Sequence, residues 1–127
     1  MLPRHERLRH QRDFELLRQQ GRSQHQPLLR LVVLKESSSR RLAGFIVSKR
    51  VSKKATERNL LKRRLRAAYG TLYRDLPPGC LLLFVARPEA RDASYQVLLE
   101  QIQTLLLRAR LLPQQAEVAA DREAVHR

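Results

Sequence analysis

The sequence is poor in the residues that build catalytic, metal or cross-linked sites. Among its 127 residues there is one cysteine, Cys80, together with four histidines and four glycines. A lone cysteine excludes a disulfide within the chain and a zinc site built on several cysteines, and it fits a reducing compartment. The four glycines form neither a P-loop nor a Gly-rich dinucleotide fingerprint. These shortages count against disulfide-stabilised domains and nucleotide-dependent enzymes.

Acidic residues are scarce as well, and they are scattered along the chain. Asp and Glu number 12 against 26 Lys and Arg, which gives a formal net charge of +14. Hydrolysis by a protein-bound metal would need clustered carboxylates or histidines, and His5 and His10 have a poor ligand spacing. We therefore predict no catalytic residue in the protein and no metal site formed by its side chains alone. The positive charge favours a polyanionic partner, nucleic acid first and an anionic membrane second.

Long hydrophobic runs are also missing. The longest, Cys80 to Ala86, is far too short to span a bilayer, and the N-terminus has no apolar stretch typical of a secretory signal. We therefore predict a cytoplasmic protein that does not bind membranes. The hydrophobic fraction of 43% favours a folded core over a disordered basic tail. We expect one domain over residues 1–113 and a polar tail, frayed or weakly helical, over residues 114–127.

Apolar patterning predicts an α+β fold, a small sandwich of a mixed sheet and helices in the order α-β-β-β-α-β-α. We expect residues 28–35 and 42–49 to pair as an antiparallel hairpin, and the apolar run 80–86 to form a central strand buried on both faces. Ser52 and Ser94 are the expected N-caps of the second and third helices. The remaining elements are helices over 11–20, over 55–73 and from 95 to the stop at Pro113, and a weakly supported strand within 22–27.

The second helix carries the strongest functional signal. Six of the nine residues from 58 to 66 are basic or amide, and no acid is interleaved with them, so i,i+4 ion pairs cannot explain them. Lys53 and Lys54 lie at the start of the helix, where its dipole disfavours cations. Leu61, Leu65 and Ala68 share the opposite side. Such a cationic front suits a phosphate backbone, and five of its residues fall within an arc of about 140°: Arg58, Asn59, Lys62, Arg63 and Arg66.

The segment from Gly44 to Arg66, GFIVSKRVSKKATERNLLKRRLR, resembles the signature of the protein subunit of bacterial ribonuclease P. In that family a G-x-x-V-S-K-K/R motif is followed, after a short gap, by A-x-x-R-N-x-x-K-R-x-x-R. The likeness extends over about residues 4–108. One departure stands out, because Leu60 occupies the place of a third arginine, and we consider Arg64 as a partial replacement. The matching positions are Gly44, Val47, Ser48, Lys49, Arg50, Ala55, Arg58, Asn59, Lys62, Arg63 and Arg66.

The resemblance implies a subunit of an endoribonuclease that removes the 5′ leader from precursor tRNA. It implies that a catalytic RNA subunit performs the hydrolysis with Mg²⁺ and without an organic cofactor. We infer no obligate protein partner, and whether the complex carries one protein or two stays open. The fold that the resemblance implies contains a left-handed β-α-β crossover around the basic helix. The protein would bind the catalytic RNA through the basic loop and helix, at Lys49, Arg50, Lys53, Lys54, Arg58, Asn59, Lys62, Arg63 and Arg66.

The resemblance also implies a cleft between the N-terminal helix and the sheet that holds the single-stranded leader. Phe14 either stacks on a leader base or packs between helix and sheet, and Arg18 and Arg30 would flank the groove. Phe45 faces either the core or the cleft. Tyr69 and Tyr73 are expected in the core or at its rim.

Two other functions remain open on the residues alone. A general RNA- or DNA-binding module, such as a ribosomal protein, would also explain the positive charge. It would leave the long motif before the helix unexplained. Binding to an anionic membrane through the basic helix is disfavoured, because its apolar face lacks Trp and is needed for the core.

Overall fold

A computed structural model describes residues 3–112 as a four-stranded sheet with helices on both faces. The predicted order of the three helices and four strands is confirmed over this range, while the predicted tail and the stop at Pro113 lie outside it. Short 3-10 helices occupy Arg4–Glu6, Tyr73–Asp75 and Pro88–Ala90. The helices and strands are α1 (Gln11–Gln20), β1 (Arg22–His25), β2 (Leu29–Lys35), β3 (Arg41–Ile46), α2 (Ala55–Gly70), β4 (Cys80–Ala86) and α3 (Tyr95–Arg108).

The strand order β1-β2-β4-β3 corrects one prediction. β2 and β3 do not form a hairpin, because β4 lies between them, antiparallel to β2 and parallel to β3. The physical reason is the seven-residue apolar run of β4, which loses contact with water on both faces only at a central position. The segment β3-α2-β4 is therefore a β-α-β unit with adjacent parallel strands, and the left hand of its crossover stays a prediction.

The two faces of the sheet carry different cores. One face packs against α2 and α3 around Leu31, Phe84, Leu65 and Ile102, all of them fully or almost fully buried. The other packs against α1 in a smaller cluster that contains Leu8, Leu17, Val32, Leu42, Leu81 and Leu83. Alternation along each strand assigns neighbouring residues to opposite faces, so this division fixes where every strand side chain points.

The loop between β2 and β3 holds α1 in place. The Asp13 carboxylate, fully buried in α1, accepts two hydrogen bonds from Arg40 at 3.0 and 3.1 Å. Arg40 also donates to Glu36 at 2.9 Å, and this contact is the main reason that the pKa of Glu36 lies below its usual value. The same loop is bonded to the turn before β4, because the Gly79 N–H donates to the Arg40 carbonyl at 2.7 Å. One arginine thus joins α1, the loop and the start of the central strand.

α2 begins at Ala55 as predicted and ends at Gly70, three residues before the predicted end, but its N-cap is not the expected residue. Lys54 is the N-cap, without a side-chain capping bond. Ser52, the expected cap, lies two residues earlier. It is buried, its hydroxyl donates to Glu57 at 2.6 Å and accepts from the Lys54 N–H at 3.2 Å. The other expected cap is confirmed, since the Ser94 hydroxyl accepts from the Val97 N–H at 3.3 Å.

Candidate nucleic-acid interface

The inner face of α2 is buried in the core, and its outer face carries cations. Leu61, Leu65, Ala68 and Tyr69 are buried against the sheet and α3. The direction opposite to them is occupied by Asn59, Arg63 and Arg66, all exposed, whereas Lys62 is half-buried on the flank. Lys62, Arg63 and Arg66 make no hydrogen bond or ion pair with any described residue. We call Asn59, Lys62, Arg63 and Arg66 the cationic front of α2.

Arg58 also has a structural role, which a helical wheel does not show. It lies on the flank of α2, half-buried, and its guanidinium donates to the carbonyl of Ser52 at 3.0 Å and to that of Lys53 at 2.9 Å. It therefore holds the connector that precedes the helix against the first turn. This predicted RNA-binding residue also shapes the loop that carries its neighbours.

The basic connector from 47 to 54 is anchored at its start and in its middle by apolar residues. Val47 and Val51 are buried in the main core, while Lys49 and Arg50 between them are exposed. The Ser48 hydroxyl accepts from the Arg50 N–H at 3.3 Å, which tightens the turn. Lys53 and Lys54 follow, and both are exposed. All nine residues predicted to bind RNA thus lie on one continuous loop and helix.

The single acid of α2, Glu57, is already engaged. It accepts from the Ser52 hydroxyl at 2.6 Å and forms ion pairs with Arg91 at 3.3 Å and Lys54 at 4.0 Å. The Ser52 hydrogen bond is the main cause of a lowered pKa of Glu57, and the charges of Arg91 and Lys54 add to it. The carboxylate lies in the first turn, where the helix dipole also favours it. It is bound at the edge of the interface and leaves the cationic front uncompensated.

Arg64 does not replace the missing third arginine. Its guanidinium donates across to the Ala93 carbonyl at 3.1 Å, just before α3, so it ties two helices together. Leu60 keeps 46% of its surface exposed, one helical turn before Arg64. The position at which the family has a cation is therefore an exposed apolar side chain here.

A second feature lies on the α1 face of the sheet. The residue pairings place Arg30, Val85 and Ile46 side by side on β2, β4 and β3, with His25 next to Arg30 on β1. This row lies outside the main contacts of α1: Ile46 is 38% exposed, and Arg30 and Val85 are half-buried. Phe14 of α1 packs, partly buried, against the same face. We call the row together with Phe14 the open cleft.

One sequence-predicted cleft residue lies elsewhere. Phe45 is on the opposite face, stacked on Phe84 at 5.5 Å between ring centroids and edge-on to Tyr69 at 5.8 Å. The reason is the alternation of β3, which directs Ala43 and Phe45 towards α2. Arg18 is exposed on α1, one helical turn after Phe14, and pairs with Glu15 of the same helix at 2.8 Å, and its place at the flank of the groove stays a prediction.

Sequence reasoning missed Val85 and Ile46, although one signal for them was present. Once Phe45 is assigned to the core, the period of two in β3 places Ile46 on the other face. Tyr69 and Tyr73 are both buried, as expected, and the Arg41 guanidinium lies 5.1 Å from the centre of the Tyr73 ring. These tyrosines belong to the core and not to the interface.

The remaining chemistry of the described chain is sparse. Over residues 3–112, no group of three or more His, Cys, Asp or Glu side chains is arranged to hold a metal ion. Cys80 is buried in β4, and burial raises the pKa of its thiol, which makes it a poor nucleophile. Within the same range, no helix is long and apolar enough to cross a membrane.

Comparisons with known proteins agree on one family. A family model described as Ribonuclease P matches residues 2–110. A ribonuclease P protein component of Picosynechococcus is 36% identical over 108 residues, covering 85% of this chain and 93% of the relative. The solved RNase P protein of Thermotoga maritima has a TM-score of 0.72 at 27% identity, over 81% of this chain and 96% of that one. The Staphylococcus aureus protein, at 19% identity, shares the fold with a TM-score of 0.76, over 84% and 97% of the two chains.

Proposed function

The chain belongs to the ribonuclease P protein family, and we propose that it serves tRNA 5′ maturation as the protein subunit of that ribonucleoprotein. One observation carries the proposal. The cationic front of α2 is exposed, apart from the half-buried Lys62, and its side chains make no hydrogen bond or ion pair with any described residue, while the opposite side of the helix is buried in the core. Exposed cations without partners can each neutralise an RNA phosphate on binding. The catalytic RNA subunit is the proposed ligand of this front and of the connector before it.

We further propose that the protein binds and positions while the RNA subunit performs the hydrolysis with Mg²⁺. The chemistry of the described side chains supports this division, since no carboxylate or histidine cluster is available to hold a metal ion and the only thiol is buried. The metal would supply charge neutralisation and an activated water. The cytoplasmic location stays a prediction.

A general nucleic-acid-binding module is not favoured. The family match covers residues 2–110 and includes the connector and the sheet as well as the basic helix. A charge-driven binder would need only the helix. The extent of the match therefore supports the specific function over the general one.

Reconstitution tests the proposal directly. We expect the full-length protein, mixed with a bacterial ribonuclease P RNA, to support removal of the leader from precursor tRNA at low Mg²⁺, where the RNA alone is slow. The protein alone should leave the precursor intact, because its described residues offer no hydrolytic site. The measurement is the rate of leader release on a gel, with and without each subunit. Cleavage by protein freed of RNA, or a rate that the protein does not raise, would contradict the proposal.

The open cleft is the proposed site of the single-stranded leader. Arg30 offers a charge for a phosphate, Val85 and Ile46 offer an apolar floor, and the Phe14 ring lies at the edge of the same face. Aromatic side chains that stack on bases contribute about 1–3 kcal/mol per base. The cleft is basic and apolar at once, which is the combination that sequence-tolerant binding of single strands requires.

Replacing Phe14 by leucine tests the cleft. Leucine keeps an apolar contact with the core cluster on the α1 face of the sheet, but it lacks the flat ring. We therefore expect the affinity of the reconstituted holoenzyme for precursor tRNA to fall by about 5–100-fold. Affinity for mature tRNA, which has no leader, should change little.

The matched control is Phe45→Leu, which removes a ring on the opposite face of the sheet. We expect it to lower stability but to leave the ratio of precursor to mature tRNA affinity as in the parent protein. Equal loss of both affinities in the Phe14 variant, or the same ratio in both variants, would remove Phe14 from the leader site.

A further inference from the structure

A basic pocket opens at the edge of the sheet formed by β1. α2 packs against β3 at the other edge, so this pocket is distinct from the cationic front. Its volume is about 650 Å³, and Val33 and Leu34 of β2 are among its lining residues. The polar side chains that line it come from α1, β1, β2 and the end of α3: Gln20, Arg22, Gln24, Lys35, Arg108 and Arg110.

The strand pairing opens the sheet at this place. β1 pairs with β2 only from Arg30 to Val33, whereas β4 pairs with β2 along its full length to Lys35. Leu34 and Lys35 therefore have a neighbouring strand on one side and the pocket on the other. The end of α3 is tied to β1, since the Arg108 guanidinium donates to the His25 carbonyl at 3.1 Å, at the end of β1 away from the gap.

Within residues 3–112, the charge of the pocket is not balanced. No Asp or Glu of this range lines it, and none of its four cations forms an ion pair with a described carboxylate. Grouping like charges around a shared space opposes folding. An anionic ligand would offset that repulsion on binding, and two glutamine amides would add neutral hydrogen-bond donors.

The backbone at Arg110 provides an independent indication. Arg110 has a φ of 60°, and it occupies the C′ position of a Schellman motif: its N–H donates to the Leu107 carbonyl and that of Leu111 to the Leu106 carbonyl. Glycine is the usual residue there, because a side chain strains the left-handed conformation. The chain keeps an arginine at this position, and that arginine lines the pocket.

We propose that this pocket is a further RNA-binding site, which takes phosphates of a polynucleotide backbone. The proposal rests on the proposed function, because RNA is the polyanion that the chain is inferred to meet. Two edges of a four-stranded sheet are about 14 Å apart, so RNA held at both the pocket and α2 would extend across the protein. The phosphates belong either to the catalytic RNA or to the precursor tRNA, and both sources share the same chemistry.

The test compares two double variants of the full-length protein that lose the same charge. Arg22→Gln with Lys35→Gln removes two pocket cations. Arg12→Gln with Arg74→Gln removes two exposed arginines that line neither the pocket nor α2. Binding to the catalytic RNA and, in a separate arm, to precursor tRNA is measured by fluorescence anisotropy at several salt concentrations.

For one of the two RNAs, we expect the pocket variant to bind about 20-fold more weakly at 0.15 M salt. Its log–log salt slope should fall by about 1.4–1.8, because each neutralised phosphate contributes about 0.7–0.9. The RNA that responds identifies the source of the phosphates. Pocket and control variants that bind both RNAs equally would overturn the proposal. Loss of binding only in variants of the cationic front would leave the proposed function intact and reject the pocket alone.

The variant Arg110→Gly tests RNA binding and stability separately, because the two should change in opposite directions. Glycine relieves the backbone strain, so we expect the melting temperature to rise by about 2–4 °C while affinity for the responding RNA falls about fourfold to fivefold. A purely structural arginine would show no loss of affinity in a more stable protein. Unchanged affinity with a raised melting temperature would therefore count against the pocket.

Discussion

Changing Lys62, Arg63 and Arg66 together to glutamine is expected to weaken binding to the catalytic RNA by about 100-fold at 0.15 M salt. Each neutralised phosphate contributes about 0.7–0.9 to the log–log salt slope, which corresponds to about fourfold to fivefold in affinity at this ionic strength. Three such contacts multiply to the stated loss. The slope itself should fall by about two to three. Both quantities come from one titration of the RNA subunit at four or five salt concentrations.

The fold should tolerate this change, because the three side chains make no hydrogen bond or ion pair with described residues. Surface substitutions of this kind usually change stability by less than about 0.5 kcal/mol each. Arg58 is deliberately left unchanged. Its guanidinium holds the Ser52 and Lys53 carbonyls, so its removal would mix a lost contact to RNA with a displaced connector.

Arg64→Gln is the matched control on the same helix. It removes one cation and the hydrogen bond to the Ala93 carbonyl, so we expect a lower melting temperature with little change in RNA affinity. A loss of RNA affinity with an unchanged melting temperature would instead place the RNA on the α3 side of α2. A salt slope unaffected by the triple variant would show that the cationic front does not meet phosphates.

Local sequence patterns predicted the helices and strands well, but they did not predict which strands pair with each other. The extents of α1 and β4 follow from their own apolar residues and agree with the structure. The expected hairpin of β2 and β3 was wrong, because strand pairing depends on β4, which begins only at Cys80, after the whole of α2. Nothing within the hairpin itself shows that Gly79 and β4 will come between its strands.

The same limit applies to the interface. The helical wheel correctly separates the buried side of α2 from the exposed side, because that depends only on its own residues. It cannot show that Arg64 reaches Ala93 on the approach to α3 or that Arg58 bonds the connector. It also cannot find the β1-edge pocket, which joins residues 20–35 to the distant end of α3. Phe45 could be assigned to a face only once its partners Phe84 and Tyr69 were placed.

Gly79→Ala is expected to lower the free energy of unfolding by about 2–4 kcal/mol, the largest effect on stability that we predict for a single methyl group. Gly79 has a φ of 80°, and a Cβ there would collide with the Glu36 carbonyl oxygen and lie 2.9 Å from that of Ser38. Backbone atoms cannot rotate away as a side chain would. The melting temperature should therefore fall by more than about 10 °C.

The effect should spread beyond the turn, because Gly79 is bonded to the loop that carries Arg40, and Arg40 holds the buried Asp13 of α1. Gly70→Ala is the matched control: a Cβ at Gly70 meets no atom within 4 Å, so alanine should leave stability unchanged or raise it slightly. Equal melting temperatures for the two variants would show that the loop yields freely. In that case apolar packing alone would hold α1 and the Phe14 side of the open cleft in place. The contact between Arg40 and Asp13 would not be needed for this.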